Sequence, residues 1–345
     1  MLTYTTLPLL PVKVMGSHGT PGWMWAFRDA VADATAGPAD LKEAMTDAAK
    51  LAIMDMTEAG ADIISDGEMF RADFTWNFHE YVTGLESIAF DRKLGYPGPD
   101  QLNAFRCVAP VDVPNGYGLK REVDFLKKRT NIPFVIGLQS PATQVFRIDP
   151  GTIYKNKGEL AWAMVPHFNR ELKEAVAAGA RHVQFDEPAF WTMPGGYEEW
   201  VELFNACVEG LDQATVEAHL CFGNYKGRAV GPRQYAPMFP AFLDFHVDEL
   251  HLEMASREFS ELHLLKEIST GMDVAVGVVD VKSYYIETPE DIARRVEMCL
   301  DHAAPEKLSF APDCGLSQTA RWAARQKLAN LVAGVNLARE KLGLG

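Results

Sequence analysis

Eight short runs rich in β-branched and aromatic residues recur along the chain, with helix-like segments between them. No other feature restricts the possible folds as much. The runs are VKVMGS (12–17), ADIISDGE (61–68), FVIGLQS (134–140) and RHVQFDE (181–187), then TVEAHLCF (215–222), DELHLEM (248–254), DVAVGVVDV (273–281) and KLSFAPD (307–313). Each has the length of a buried strand, and the intervening segments carry apolar residues at three- and four-residue spacing. Thr288-Pro289-Glu290-Asp291 reads as a helix start, an N-cap followed by proline at the first helical position, ahead of Ile292, Val296, Cys299 and Leu300. Gln318 to Leu342 reads as a last, long amphipathic helix. Strand–helix alternation without a break in composition predicts the α/β class, as one (β/α)8 TIM barrel over residues 1–345. One stretch departs from the rhythm. Residues 69–131 are longer than a strand-to-helix connection needs and carry the aromatic run FRADFTWNFHEY, so they read as an insertion after the second strand, a lid region over one end of the barrel.

Composition narrows the partners. With 345 residues and 48% hydrophobic content the chain can bury a large core. A net charge of −14, with no Lys/Arg run long enough to reverse it locally, argues against nucleic acid. No apolar run approaches the roughly 18 residues that a membrane span needs. The opening MLTYTTLPLLPVKVMGSHG lacks a basic region and is interrupted by Pro8, Pro11 and Lys13, so it does not read as a signal peptide. Five cysteines in a chain of this length are not a disulfide framework, and the expected compartment is a reducing, cytoplasmic one.

In such a barrel the chemistry lies where the strands end. The eight ends offer Ser17, Asp66-Gly67-Glu68, Gln139-Ser140, Asp186-Glu187, His219 with Cys221, Glu253, Asp280 with Lys282, and Asp313-Cys314-Gly315. Zinc(II) takes nitrogen and sulfur ligands and is usually four-coordinate. His219, Cys221 and Cys314 supply N, S and S, and Glu253 could supply a fourth, exchangeable oxygen. Such a set suits binding and ionising a thiol substrate. His251, two residues before Glu253, allows a rival ligand set. Cys207 and Cys299 lie at helical spacing among apolar residues and read as core, while Cys314, between Asp313 and Gly315, sits in a turn.

At these residues the sequence resembles the cobalamin-independent methionine synthase family, in its catalytic carboxy-terminal half. The stretches are MGS (15–17), SDGEMFRADF (65–74), QFDEPAF (184–190), HLC (219–221), HLEMASRE (251–258), GVVDVKS (277–283) and APDCGL (311–316). The resemblance implies a TIM barrel with zinc on His219, Cys221, Glu253 and Cys314. It also implies homocysteine binding by Ser17, Glu68 and Asp186, the carboxylates taking the amino group, and methyl transfer to the homocysteine thiolate to give methionine.

Two departures bear on the methyl donor. The catalytic barrel is expected to begin at about residue 12, without the amino-terminal barrel of long members, and the pattern resembles short, single-barrel relatives. Where long members have a histidine linked to proton delivery, this chain has Lys282. Donors to be weighed are methyltetrahydrofolate and a methyl-corrinoid, the latter delivered by a partner protein. Transfer to another small thiol, as in epoxyalkane:coenzyme M transferase, is the alternative within the same chemistry. A folate donor needs a positioned acid, because a tertiary amine nitrogen leaves poorly unless protonated. Asp186, Glu187, His18 and Lys282 are the candidates. The aromatics Phe70, Phe74, Trp76 and Phe78 could stack on a pterin, but the preferred reading is a packed lid. A non-catalytic zinc-binding or regulatory barrel and a metal-free decarboxylase-type barrel complete the alternatives; the first leaves Glu68 and Asp186 without a purpose, the second leaves the cysteines without one.

Overall fold

Strands of a parallel barrel are covered on both faces, so they should be buried along their whole length. In the computed structural model Val135–Gln139 and Leu308–Pro312 meet that expectation at every residue. The structure describes residues 7–71, 76–88, 104–188, 196–224, 229 and 233–344. In chain order its strands are β1 (Thr83–Ile88), β2 (Ala104–Asp112), β3 (Val135–Gln139), β4 (Ile148–Asp149), β5 (His182–Glu187), β6 (Thr215–Leu220), β7 (Glu249–Leu252), β8 (Asp273–Val279) and β9 (Leu308–Pro312).

Six of these, in the order β3-β5-β6-β7-β8-β9, form one parallel sheet. Isolated parallel bridges, Val12 to Phe310, Lys13 to Ile63 and Ile64 to Phe134, carry the sheet round through the two remaining segments. Backbone bonds follow the same path: Lys13 N–H donates to the Phe310 carbonyl (2.9 Å) and Val135 N–H to that of Ile64 (2.9 Å). Eight parallel segments in sequence order are the TIM-barrel arrangement, and all eight lie within the runs expected from the sequence.

Helices fill the connections. The helix Pro38–Ala59 starts where Asp40 accepts the Gly37 N–H (2.9 Å) and stops at Gly60, whose φ of 82° ends it in the left-handed region. It lays Ala48, Ala49, Ala52, Ile53 and Met56 on the barrel. Thr288 and Asp291 cap the helix Pro289–Leu300 reciprocally, side chain to backbone in both directions (3.2 and 3.0 Å). The last helix runs Arg321–Lys341, three residues later than the sequence suggests, because the turn before it is spent on contacts with the first barrel segment, which carries Val12 and Lys13: Leu316 N–H donates to the Ser17 carbonyl (2.9 Å). No described helix is long and apolar enough to cross a membrane.

The extra chain after the second strand is a β1–β2 hairpin with β4 added alongside β2. Its last part, the helix Leu119–Lys127, packs against the helix Lys157–Ala178 as a member of the outer ring. Buried Glu171 fixes it by accepting N–H bonds from Tyr117 (2.9 Å) and Leu119 (2.7 Å). Phe70 meets Phe125 edge-on and Phe78 meets Tyr117, so these two aromatics pack within the protein. Phe74 and the Trp76 side chain lie outside the described residues.

Candidate active site

Side chains two apart on a strand share a face. On β6 and just beyond it, Glu217, His219 and Cys221 are buried along one face; on and after β7, Glu249 is half-buried and His251 and Glu253 are buried along the matching face. The strands pair Glu217 with Glu249 and His219 with His251. The Phe222 N–H donates to Glu253 (3.3 Å), which carries the register one step further. The interior of the barrel is therefore polar in layers. At the amino-terminal end Lys13 pairs with Glu217 and Glu249 (3.2 Å to the latter), and Ser309 binds Glu249. Above that layer lie the two histidines, and above them the strand ends.

At those ends His219, Cys221 and Cys314 offer ligand atoms that lie within 4.8 Å of one another. His219 turns Nδ1 toward His251 Nδ1 at 2.5 Å. Its Nε2 is buried and has no hydrogen-bond partner among the described residues. The two sulfurs are 3.9 Å apart; two thiolates about 2.3 Å from a tetrahedral ion stand about 3.8 Å apart. Two thiols at ion-bridging separation and an orphaned imidazole nitrogen fit a zinc ion. Hydrogen bonding from Cys221, aided by His219 and Lys282 against the cost of burial, holds the Cys314 thiol well below its ordinary range. The same pairing raises Cys221 well above it. Cys314 is thus the more acidic of the two thiols, and binding a metal would require both to be deprotonated.

Glu253 is beside this cluster rather than in it. Its Oε2 is 2.8 Å from Lys282 Nζ, and its Oε1 accepts from Ser256 Oγ at 2.5 Å. Burial alone would lower the Lys282 pKa, but Glu253 and then Cys314, Cys221 and Asp313 raise it. His251 is not in the cluster either. Burial, with His219 and Lys13 adding to it, pushes its pKa well down, so it is a neutral partner of His219.

The carboxylates come together one strand away. Asp186, on β5, pairs in register with His219, and Gln184 donates to its Oδ1 (2.6 Å). Glu68 arrives by a turn that its neighbours shape: Ser65 Oγ accepts the Gly67 N–H (2.9 Å) and Asp66 the Glu68 N–H (2.8 Å). Glu68 itself has φ 57°, which is rare outside glycine and is associated with functional sites. A Cβ built on Gly137 would stand 3.4 Å from Glu68 Oε1 and 3.5 Å from Asp186 Oδ2, so the two carboxylates face one space across β3. Burial raises Glu68 to about 8, with Arg71 opposing and Asp186 adding, and raises Asp186 to about 6. Ser17 bridges to Gly67, and a Cβ at Gly315 would overlap its Oγ, which sets the hydroxyl against Gly315, the residue after Cys314.

Two candidate acids point elsewhere. Glu187, one residue after Asp186, faces the other side and accepts from Thr143 Oγ1 (3.1 Å). His18 Nε2 is 3.1 Å from Asp55 Oδ2, in a buried cluster with Arg321. Sequence reasoning assigned no role to Arg71, which ties Glu68 (2.7 Å), Glu122 (2.8 Å) and the Gly137 carbonyl (2.7 Å) together. Its place three residues after Glu68 was the available signal. Ser256 and Gln184 were also passed over.

Fold and site define a class: a (β/α)8 barrel with a His/Cys/Cys centre and a carboxylate pair at its carboxyl end. The family described as cobalamin-independent synthase, catalytic domain, matches residues 10–336, and the chain belongs to that family. The methionine synthase of Saccharolobus solfataricus is 31% identical over 345 residues, covering 97% of each chain. That of Sulfurisphaera tokodaii is also 31% identical, over 97% of this chain and 94% of its own. Among solved structures, a B12-independent methionine synthase from Shewanella sp. W3-18-1, in complex with selenomethionine, superposes with a TM-score of 0.82 at 28% identity over 97% of this chain and 99% of that one. A methyltransferase from Methanosarcina mazei (TM-score 0.59, 15% identity, 98% and 95% covered) shares the fold.

Proposed function

We propose that this protein is a zinc-dependent methyltransferase that alkylates the thiolate of homocysteine to give methionine. The observation that carries the reading is the convergence of His219, Cys221 and Cys314 within 4.8 Å at the carboxyl end of the barrel. A zinc ion held there supplies the Lewis acidity that brings a thiol to its thiolate near neutral pH. We assign His219, Cys221 and Cys314 as ligands and Glu253 as the exchangeable fourth. Glu68 and Asp186 accept the α-ammonium of the amino acid between them, across Gly137, and Ser17 donates to its carboxylate. Membership of a methionine synthase family supports homocysteine as acceptor.

For the donor we retain methyltetrahydrofolate and a methyl-corrinoid, the latter supplied by a partner protein. The test incubates zinc-loaded protein and homocysteine with 5-methyltetrahydrofolate, in mono- and polyglutamyl forms, and separately with methylcobalamin. Methionine from any of them supports the proposal and names the donor. No methionine from any of them would point to another thiol or to a missing partner protein.

A further inference from the structure

Glu253 has a complete set of partners that does not involve the His/Cys/Cys cluster. Lys282 Nζ is 2.8 Å from Oε2, the Phe222 N–H donates to Oε2 at 3.3 Å, and the Ser256 hydroxyl donates to Oε1 at 2.5 Å. The carboxylate is fully buried and Lys282 is only 8% exposed. A buried carboxylate without a counter-charge is costly, and so is a buried ammonium. The cradle is also built rather than incidental. Asp313 accepts N–H bonds from Met254 (3.0 Å), Ala255 (2.8 Å) and Ser256 (2.6 Å), fixing the turn that presents Ser256. The Lys282 N–H is itself held by Asp280 (2.8 Å).

We propose that Lys282 is a positioning residue, the counter-ion that receives Glu253 when a substrate thiolate takes its place at the metal. The inference rests on the zinc reading above and adds a role that reading does not contain. The charge on the metal's ligand set is the same in both arrangements. With Glu253 as fourth ligand, two cysteine thiolates and one carboxylate surround a dication, and Lys282 faces that site's single net negative charge. Were a substrate thiol to enter, its proton would go to solvent, a metal–sulfur bond would replace the metal–carboxylate bond, and the ligand set would keep the same net charge. The released carboxylate then brings one extra negative charge into a buried space, and Lys282 with Ser256 and the Phe222 N–H accommodates it. Without the ammonium, release is disfavoured, and the carboxylate competes with the incoming thiol.

The experiment measures zinc content and homocysteine binding, by calorimetry on zinc-loaded protein, for the parent, Lys282→Met, Lys282→Arg, Glu253→Gln and the Glu253→Gln/Lys282→Met double variant. Lys282→Met is expected to keep its zinc and to bind homocysteine on the order of tenfold more weakly. Lys282→Arg should restore most of the affinity. In the Glu253→Gln background Lys282→Met should change affinity little, because no carboxylate remains to be received. Zinc-loaded Lys282→Met with parental homocysteine affinity would overturn the proposal. So would loss of zinc from that variant, or an undiminished effect in the Glu253→Gln background. Absence of zinc from the parent protein would instead overturn the reading on which the proposal rests.

Discussion

Single side chains set the chemistry of this site through one geometric rule, the period-two alternation of strands. His219 and Cys221 were legible as a pair from the sequence because the rule needs only their spacing. The partner of His219 was not, because it comes from the next strand: His251 could be noticed, and even weighed as a ligand, but only the register places its Nδ1 at 2.5 Å from that of His219. A neutral His251 that accepts the His219 Nδ1–H leaves the Nε2 lone pair for the metal. His251→Phe should therefore weaken zinc binding by roughly 10- to 100-fold in a chelator competition, and parental affinity in that variant would remove the role. The carboxylates give a pH prediction. Burial raises Asp186 to about 6 and Glu68 to about 8, so between those values the free protein holds a proton, on Glu68, that an ammonium ligand would displace. Methionine, which has no thiol proton of its own to release, should bind with release of protons between pH 6 and 8 and more tightly as pH rises through that window. Calorimetry in buffers of different ionisation enthalpy reads the proton count; uptake, or affinity independent of pH, contradicts the assignment.

Elements fix where those side chains stand. The eight strand segments were legible because each is a short apolar run between helical patterns, and the Thr288 cap because its signal is local. Replacing Thr288 by alanine should cost about 1 kcal/mol of stability in denaturant unfolding with methyl transfer intact, since the helix Pro289–Leu300 lies outside the site; a change within error would mean the cap contributes nothing. The end of the insertion was less legible. The helix Leu119–Lys127 belongs to the outer ring, yet what holds it there, Glu171 and the Arg71–Glu122 pair, is contributed by residues about 50 positions away. β3 offers the sharper test. A methyl group at Gly137 would make ordinary contacts with Glu68 and Asp186, so Gly137→Ala should fold and hold zinc. It would also fill the space between the carboxylates, and homocysteine affinity should fall on the order of tenfold. Unchanged affinity would move the ammonium site elsewhere.

Across the whole molecule, distant stretches of chain meet at one end of a ring. Cys221 and Cys314 are 93 residues apart in sequence and 3.9 Å apart in space, which the barrel brings about by closing its first and last strands through Val12 and Phe310. The fold class was therefore enough to propose the cluster. It was not enough to show that Glu253 is engaged by Lys282, because that depends on a hydrogen-bonded turn after β7 and not on topology. Everything proposed for substrate and donor depends on the metal. Zinc analysis of the purified protein, alongside Cys221→Ser and Cys314→Ser, tests it most directly. The account predicts about one zinc per chain in the parent and little in either variant, because a serine hydroxyl is a hard, barely acidic ligand. Far less than one zinc in the parent, or a full complement retained by both variants, would contradict it.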